Sequence, residues 1–167
     1  MDRHTAAALL VTGLTDGSVL ELGSGSRGLA PLLVGRIRRY DALDRSPRAT
    51  AALTTWLAEH HPDDAWGVRA GDLTDLPHLA DLAPADVVVA VNVNAFWTGT
   101  TADALAAVGG HLRPGGAFVL VLETPDPVDA RARPALLAAL AGAGWRWQEH
   151  PEASGPRRVA LVARPVA

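Results

Sequence analysis

The fold is decided by residues 19–28, which read VLELGSGSRG. A short apolar strand pattern is followed by Gly23, Gly25 and Gly28, and apolar residues at helical spacing resume at Leu29. Glycines allow a sharp turn and let a ligand approach the free N–H groups at a helix start, where negative groups are favoured. The stretch therefore predicts strand, turn and helix, and the turn is either a ligand-binding loop or an ordinary tight connection.

Six further strand patterns follow this one, and several are continuous apolar runs of the kind that is covered on both faces in a parallel sheet. The seven predicted strands are Ser18–Leu22, Arg39–Leu43, Trp66–Ala70, Asp86–Val91, Ala117–Leu122, Trp145–Glu149 and Arg158–Ala163. Helical patterns separate most of them, but none separates the last two. The pattern predicts an α/β fold with helices on both faces of a mostly parallel seven-stranded sheet, which ends in an antiparallel hairpin.

The predicted helices rest on apolar spacing and on end signals. Ser46 followed by Pro47 is typical of a helix start. The apolar positions at helical spacing are Leu29, Leu32, Leu33 and Ile37; Ala49, Ala52, Leu53, Trp56 and Leu57; Leu105, Val108 and Leu112; and Leu136, Leu137 and Leu140.

Composition excludes several classes of function. The 167 residues contain no Cys, and all fifteen basic residues are Arg, so thiol chemistry, Schiff-base lysines and P-loop lysines are excluded. His78 and His150 have no carboxylate or histidine at metal-binding spacing, and we predict no metal site. No apolar run approaches the ~20 residues of a membrane span, and we expect one soluble, cytoplasmic domain over residues 1–167, with residues 1–17 as a short segment over the active site.

Two acidic residues follow predicted strands at the edge where such sheets bind ligands. Asp44 ends the second strand, 21 residues after Gly23, where a carboxylate can accept hydrogen bonds from both ribose hydroxyls of an adenosine cofactor. Asp72 follows the third strand, where it can meet an adenine amino group. The alternatives are a helix N-terminal charge beside Ser46 for Asp44 and plain capping for Asp72.

Several motifs in order along residues 18–163 resemble those of the class I S-adenosylmethionine-dependent methyltransferases, which have a Rossmann-like fold. They are Glu21-Leu22-Gly23-Ser24-Gly25, Leu43-Asp44-Arg45-Ser46, Gly71-Asp72-Leu73, Ala85-Asp86-Val87-Val88-Val89 and Leu112-Arg113-Pro114-Gly115-Gly116. The resemblance implies S-adenosylmethionine as cofactor, with Glu21 and the glycines at its methionine end, Asp44 at the ribose and Asp72 at the adenine. The implied cofactor-binding residues are Glu21, Gly23, Ser24, Gly25, Asp44, Arg45, Asp72, Leu73 and Asn92.

Glu21 also separates the cofactor classes. Dehydrogenases usually have another buried strand residue at this place, and an unpaired buried carboxylate would cost several kcal/mol. An acid here therefore favours a cofactor that carries an amino group over a nicotinamide or flavin. The family's third glycine usually stands where this chain has Arg27, so the loop differs from the family pattern and Gly28 replaces that glycine only in part.

The acceptor side gives weaker signals. Asn94, Phe96 and Trp97 follow the fourth strand and are predicted to bind substrate, with a lid on the sheet edge as the alternative for the two aromatics. This turn lacks the Pro-Pro-aromatic tetrapeptide of enzymes that methylate exocyclic amines of nucleobases. His4 and Glu123 are candidate catalytic bases, with a frayed terminus and a strand-end cap as their alternatives.

The strands and helices use nearly all of the sequence. We therefore expect an open site, a site completed by a second subunit in a homodimer, or an acceptor group presented by something larger. The net charge of −3 disfavours nucleic acid, so the predicted function is biosynthetic methyl transfer to a small-molecule or peptide-like natural product. The alternatives are a fold that binds the cofactor for other chemistry or as a scaffold, and a nicotinamide-dependent oxidoreductase.

Overall fold

A seven-stranded sheet forms the centre of the chain in a computed structural model that describes residues 1–79, 81–96, 101–124 and 132–166. The strands are β1 (Ser18–Leu22), β2 (Arg39–Asp44), β3 (Trp66–Ala70), β4 (Ala85–Val91), β5 (Leu112–Glu123), β6 (Trp145–Glu149) and β7 (Arg158–Pro165). Their order across the sheet is β3-β2-β1-β4-β5-β7-β6. All seven predicted strands are confirmed.

The pairing pattern follows from the connections. β1, β2, β3, β4 and β5 pair in parallel, whereas β7 lies antiparallel between β5 and β6. The chain reaches β7 from β6 without a helix, so an antiparallel pair is the short connection available to it. The predicted C-terminal hairpin is therefore confirmed, and β7 occupies the inner position of the pair.

Helices cover both faces of this sheet. They are α1 (Arg3–Leu14), α2 (Ala30–Leu33), α3 (Pro47–His60), α4 (Thr101–His111) and α5 (Ala132–Gly142), with 3₁₀ turns at Leu73–His78 and Asn94–Phe96. One apolar core lies between the sheet and α1, α2 and α3, and the other lies between the sheet and α4 and α5. Val87 and Val89 belong to the first core and Val88 to the second, which explains the continuous valine run.

The helix starting at Pro47 is confirmed, since the Ser46 hydroxyl accepts a hydrogen bond from the Ala49 N–H at 3.2 Å. Two other predicted extents are wrong. The apolar spacing predicts a helix that extends to Ile37, but α2 ends at Leu33, because Gly35 takes the left-handed φ of 81°. The spacing of Leu105, Val108 and Leu112 predicts a helix through Leu112, but Leu112 pairs with Ala85 as the first residue of β5.

The segment before β1 forms a regular helix, which the sequence pattern did not predict. The Asp2 carboxylate accepts the His4 and Thr5 N–H groups at 2.9 and 3.0 Å and so caps the start of α1. Ala6, Ala7 and Val11 are fully buried against the sheet. In the described part of the chain, no helix has the length and apolar character needed to cross a bilayer.

Candidate cofactor cleft at the carboxyl edge of the sheet

The ends of β1, β2, β3 and β4 border a cleft of about 280 Å³, which lies close to the lower end of the usual range for ligand pockets. Its lining residues are Leu22, Gly23, Leu43, Asp44, Arg45, Gly71, Asp72, Leu73, Asn92, Val93, Asn94 and Ala95. Seven of the residues predicted from the sequence to contact cofactor or substrate are therefore brought together on one surface.

The glycine turn shapes one wall of this cleft. Gly23 and Gly25 have φ angles of 69° and 59°, which are left-handed values that side chains disfavour. The Gly25 N–H donates to Asp44 Oδ2 at 2.8 Å, and the space beside its Cα is open to at least 4 Å. Ser24 is buried behind the turn. The turn therefore leaves bare backbone where a ligand can approach, as a cofactor cradle requires.

Asp44 links the turn to the next helix. Its Oδ1 accepts the Ser46 N–H at 2.8 Å, and its Oδ2 accepts the Gly25 N–H. A carboxylate offers about four acceptor positions, so two remain for other donors such as the hydroxyls of a ribose. The helix-start alternative and the ribose prediction are thus compatible at this residue.

Asp72 is the cap of the 3₁₀ turn that follows β3. Its Oδ1 accepts the backbone N–H and the hydroxyl of Thr74, both at 3.0 Å, and these bonds, with the charge of Arg45, lower the pKa of Asp72. Asp72 therefore caps the 3₁₀ turn, as the alternative prediction states. It also lines the cleft, together with Leu73 and Arg45. Contact of Asp72 with adenine stays a prediction.

Glu21 lies beneath the glycine turn and is not part of the cleft lining. Its side chain is buried, and Oε2 accepts hydrogen bonds from the Leu29 N–H at 2.8 Å and the Tyr40 hydroxyl at 2.5 Å. Burial raises the pKa of Glu21 to about 7, against the lowering effect of these two donors. Its contact with the methionine end stays a prediction.

Asn92 joins the cleft to the neighbouring strand end. It has a left-handed φ of 55°, and its side-chain amide donates to the Glu123 carbonyl at 3.0 Å and accepts the Glu123 N–H at 2.7 Å. The amide thus prolongs the ladder between β4 and β5 by one pair. This bonding gives Asn92 a structural role that the sequence did not indicate, at a position that also borders the cleft.

The predicted substrate residues have different environments. Asn94 lines the cleft. Phe96 is fully buried and its ring lies 4.9 Å from that of Phe118, so the structure places it in the core beneath the turn. Trp97 lies outside the described residues.

His4, at the start of α1, and Glu123, at the end of β5, are close enough to interact electrostatically. Glu123 Oε2 accepts a hydrogen bond from Arg158 at 2.8 Å, and Oε1 lies 3.9 Å from the Arg3 guanidinium. Arg158 also donates to the Met1 carbonyl at 2.9 Å, so the start of α1 is tied to this edge. Burial and the neighbouring Arg3 lower the pKa of His4, although Asp2 and Glu123 act in the opposite direction. We name this group of residues (Met1, Arg3, His4, Glu123 and Arg158) the N-terminal latch.

Sequence reasoning missed Tyr40 and Arg158. Tyr40 reads as an ordinary apolar strand residue, and Arg158 as an exposed strand start, so neither carries a local signal. The register supplies the information, since Arg158 pairs with Glu123 and Tyr40 lies on the strand next to Glu21. No cluster of metal-ligating side chains occurs within the described ranges.

Comparison with known proteins places this geometry among methyltransferases. A family model described as methyltransferase domain matches residues 19–116, which is more than half of the chain. A search of curated proteins finds no match.

Solved structures, two of them described as methyltransferases, share the fold. An S-adenosylmethionine-dependent methyltransferase from Clostridium acetobutylicum superposes with a TM-score of 0.80 at 11% identity, covering 100% of this chain and 93% of the other. The glycopeptide N-methyltransferase MtfA in complex with S-adenosylmethionine gives 0.78 at 21% identity, covering 99% and 95%. A structure described as a DhpI-SAM-HEP complex gives 0.71 at 23% identity, covering 99% and 87%.

Proposed function

Because this chain belongs to the methyltransferase domain family, we propose that it transfers a methyl group from S-adenosylmethionine to a small-molecule or peptide-like acceptor. The observation that carries the proposal is the single cleft in which the glycine turn, Asp44, Asp72 and the Asn92 turn converge. Family membership favours this function over the nicotinamide-dependent and scaffold alternatives.

The residues of the cleft fit the parts of this cofactor. Asp44 has acceptor positions for the ribose hydroxyls, and Asp72 and Leu73 offer a carboxylate and an apolar surface to the adenine. Next to the cleft-lining Gly23, the open space at Gly25 leaves room for the methionine end. The cleft continues along Val93, Asn94 and Ala95 towards the end of β4, where the acceptor would enter.

The bound cofactor supplies an electrophilic methyl group: its S–C bond breaks with the electron pair kept on sulfur, while a lone pair of the acceptor forms the new bond to carbon. The chain aligns the two partners and excludes water, and a base is needed only if the acceptor loses a proton. His4 is the candidate for that task, because burial and Arg3 lower the pKa of its imidazole and so favour the neutral form that can accept a proton. Glu123 is a weaker candidate, since Arg158 already engages its carboxylate.

The net charge and the fold neighbours favour a small-molecule or peptide-like acceptor over a polyanionic one. A net charge of −3 disfavours a polyanionic acceptor such as RNA. MtfA is described as a glycopeptide N-methyltransferase, which is a precedent for a peptide-like acceptor on this fold. The acceptor site would be formed by the residues around β5 and the N-terminal latch. In a homodimer, a second subunit would complete it.

Calorimetric titration with S-adenosylhomocysteine tests the cofactor, and we expect micromolar binding. Binding of NAD(H) without binding of S-adenosylhomocysteine at millimolar concentration would refute the proposal. Transfer of labelled methyl groups to a panel of peptides, small natural products and RNA then tests the acceptor class, and labelling of RNA alone would refute it.

Once an acceptor is found, His4→Gln tests the base. We expect turnover to fall about 100-fold, the usual contribution of a positioned base, with cofactor affinity unchanged. His78→Gln is the matched control, since His78 is an exposed residue of the 3₁₀ turn after β3. Equal turnover in the two variants would remove His4 from the mechanism.

A further inference from the structure

A buried hydrogen bond connects β2 to the underside of the glycine turn. Tyr40 is fully buried, and its hydroxyl donates to Glu21 Oε2 at 2.5 Å across the β1–β2 pair. The same oxygen accepts the Leu29 N–H at 2.8 Å, at the point where the glycine turn enters α2. One carboxylate oxygen therefore ties a core strand to the end of the turn.

The second oxygen of Glu21 supports the turn from below. A Cβ atom added to Gly28 would lie 2.4 Å from Oε1 and 2.6 Å from Oε2, so the turn rests directly on the carboxylate. Gly28 has a φ of 47° and is the shifted glycine that follows Arg27. The position of the carboxylate thus sets how closely the turn approaches the sheet.

We propose that Tyr40 is a positioning residue for the amino-acid end of the cofactor and that it acts through Glu21. The hydroxyl fixes the Glu21 carboxylate, and the carboxylate fixes the turn from Gly23 to Leu29 that borders the cleft. The inference rests on the proposed cofactor. Tyr40 does not line the cleft, so its effect on binding is transmitted through Glu21.

Ionisation of Glu21 gives this arrangement a measurable signature. Burial raises the pKa of Glu21 to about 7. The charge of Asp44 also raises this pKa, whereas the hydrogen bonds from Tyr40 and Leu29 lower it. Within the described residues, the titratable groups that act on Glu21 are Tyr40 and Asp44, which both lie on β2. The cofactor's α-amino group is mostly a cation below its pKa of about 8. Ionised Glu21 attracts this cation, so cofactor affinity should rise as the pH increases from 5.5 to 7.5.

Calorimetry with two probes at several pH values tests the inference. S-adenosylhomocysteine carries the amino-acid end, and 5′-methylthioadenosine lacks it. For the unmodified protein, we expect the affinity for S-adenosylhomocysteine to rise with pH and the affinity for methylthioadenosine to stay constant. Tyr40→Phe should weaken the binding of S-adenosylhomocysteine about tenfold at pH 7, as expected for loss of a hydrogen bond to a charged group. It should also shift the increase in affinity to higher pH. Glu21→Gln should abolish the increase of S-adenosylhomocysteine affinity with pH.

A second variant covers the case in which Tyr40→Phe does not fold. Tyr40 is the only tyrosine in the sequence, so growth on 3-fluorotyrosine changes this one hydroxyl. A more acidic phenol is a stronger donor, and it should move the rise in affinity to lower pH, opposite to Tyr40→Phe.

The outcomes separate the inference from the proposed function. The positioning role would be overturned if the pH profile of S-adenosylhomocysteine affinity were unchanged in the fluorotyrosine protein. It would also be overturned if Tyr40→Phe weakened the binding of both probes equally. Failure of both probes to bind the unmodified protein would instead refute the proposed function on which the inference rests.

Discussion

The two halves of the carboxyl edge are built from contacts of very different range along the chain. In the cofactor half, Glu21 bonds to Leu29 eight residues away, and Gly25 bonds to Asp44 nineteen residues away. In the acceptor half, Arg158 bonds to Met1, 157 residues away, and to Glu123, 35 residues away. The cofactor half is therefore encoded in local motifs, whereas the acceptor half depends on assembly of the whole sheet.

This difference predicts where substitutions act on stability and where they act on binding. The cofactor half contains glycines whose roles differ although their backbone angles are similar. Gly25 faces open space, whereas Gly28 rests on Glu21.

The largest expected effect is that of Gly28→Ala. We expect the free energy of unfolding to fall by roughly 2–5 kcal/mol, from left-handed strain together with overpacking against Glu21. Gly25→Ala is the matched control, with a cost of about 1–2 kcal/mol from strain alone and a larger loss of cofactor affinity. Chemical denaturation measures both, and similar costs would mean that Glu21 does not support the turn.

Asp44→Ala comes next and acts on binding. We expect a loss of roughly 2–4 kcal/mol in S-adenosylhomocysteine affinity, the scale of losing charge-assisted bonds to two hydroxyls, without unfolding. Asp72→Ala should cost less, about 1–2 kcal/mol for one bond. Calorimetry decides, and an unchanged affinity in Asp44→Ala would remove the ribose role.

The buried carboxylate should make stability depend on pH. The pKa of Glu21 is about 7 in the folded protein and near 4.5 when unfolded, so the folded state binds the extra proton between these values. Stability therefore falls as the pH rises from 4.5 to 7, by about 3 kcal/mol. The measurement is the difference in unfolding free energy between the unmodified protein and Glu21→Gln over this range, and a constant difference would contradict the prediction.

The smallest expected effect belongs to the acceptor half. Arg158→Met should lower stability by only about 1–2 kcal/mol, because it removes partly exposed hydrogen bonds. It should nevertheless speed hydrogen exchange in α1, since the tie to Met1 is lost. Arg164→Met on the same strand is the control, and equal exchange in the two variants would show that the N-terminal latch does not hold α1.

Local spacing gives a wrong prediction at three positions. Leu112 and Ile37 continue helical spacings, but pairing with Ala85 and the turn at Gly35 override the local pattern. Phe96 is predicted from the sequence to bind substrate or to form a lid on the sheet edge, whereas in the structure it is buried in the core beside Phe118. Strand pairing decides the position of Leu112 and burial decides that of Phe96, whereas the helix before Ile37 is ended by the left-handed turn at Gly35.

The sequence by itself determined the strands, the parallel sheet with its antiparallel end and the acids and glycines of the cofactor half, because each depends on a short period or a nearby turn. Only the tertiary structure decided that Glu21 lies under the glycine turn and accepts a hydrogen bond from Tyr40. The same holds for the Asn92 amide, which prolongs the ladder between β4 and β5, and for Arg158, which connects Met1 to Glu123. These contacts join residues on different strands or at opposite ends of the chain. Their distances are set by sheet register and by burial of α1, which no local pattern specifies.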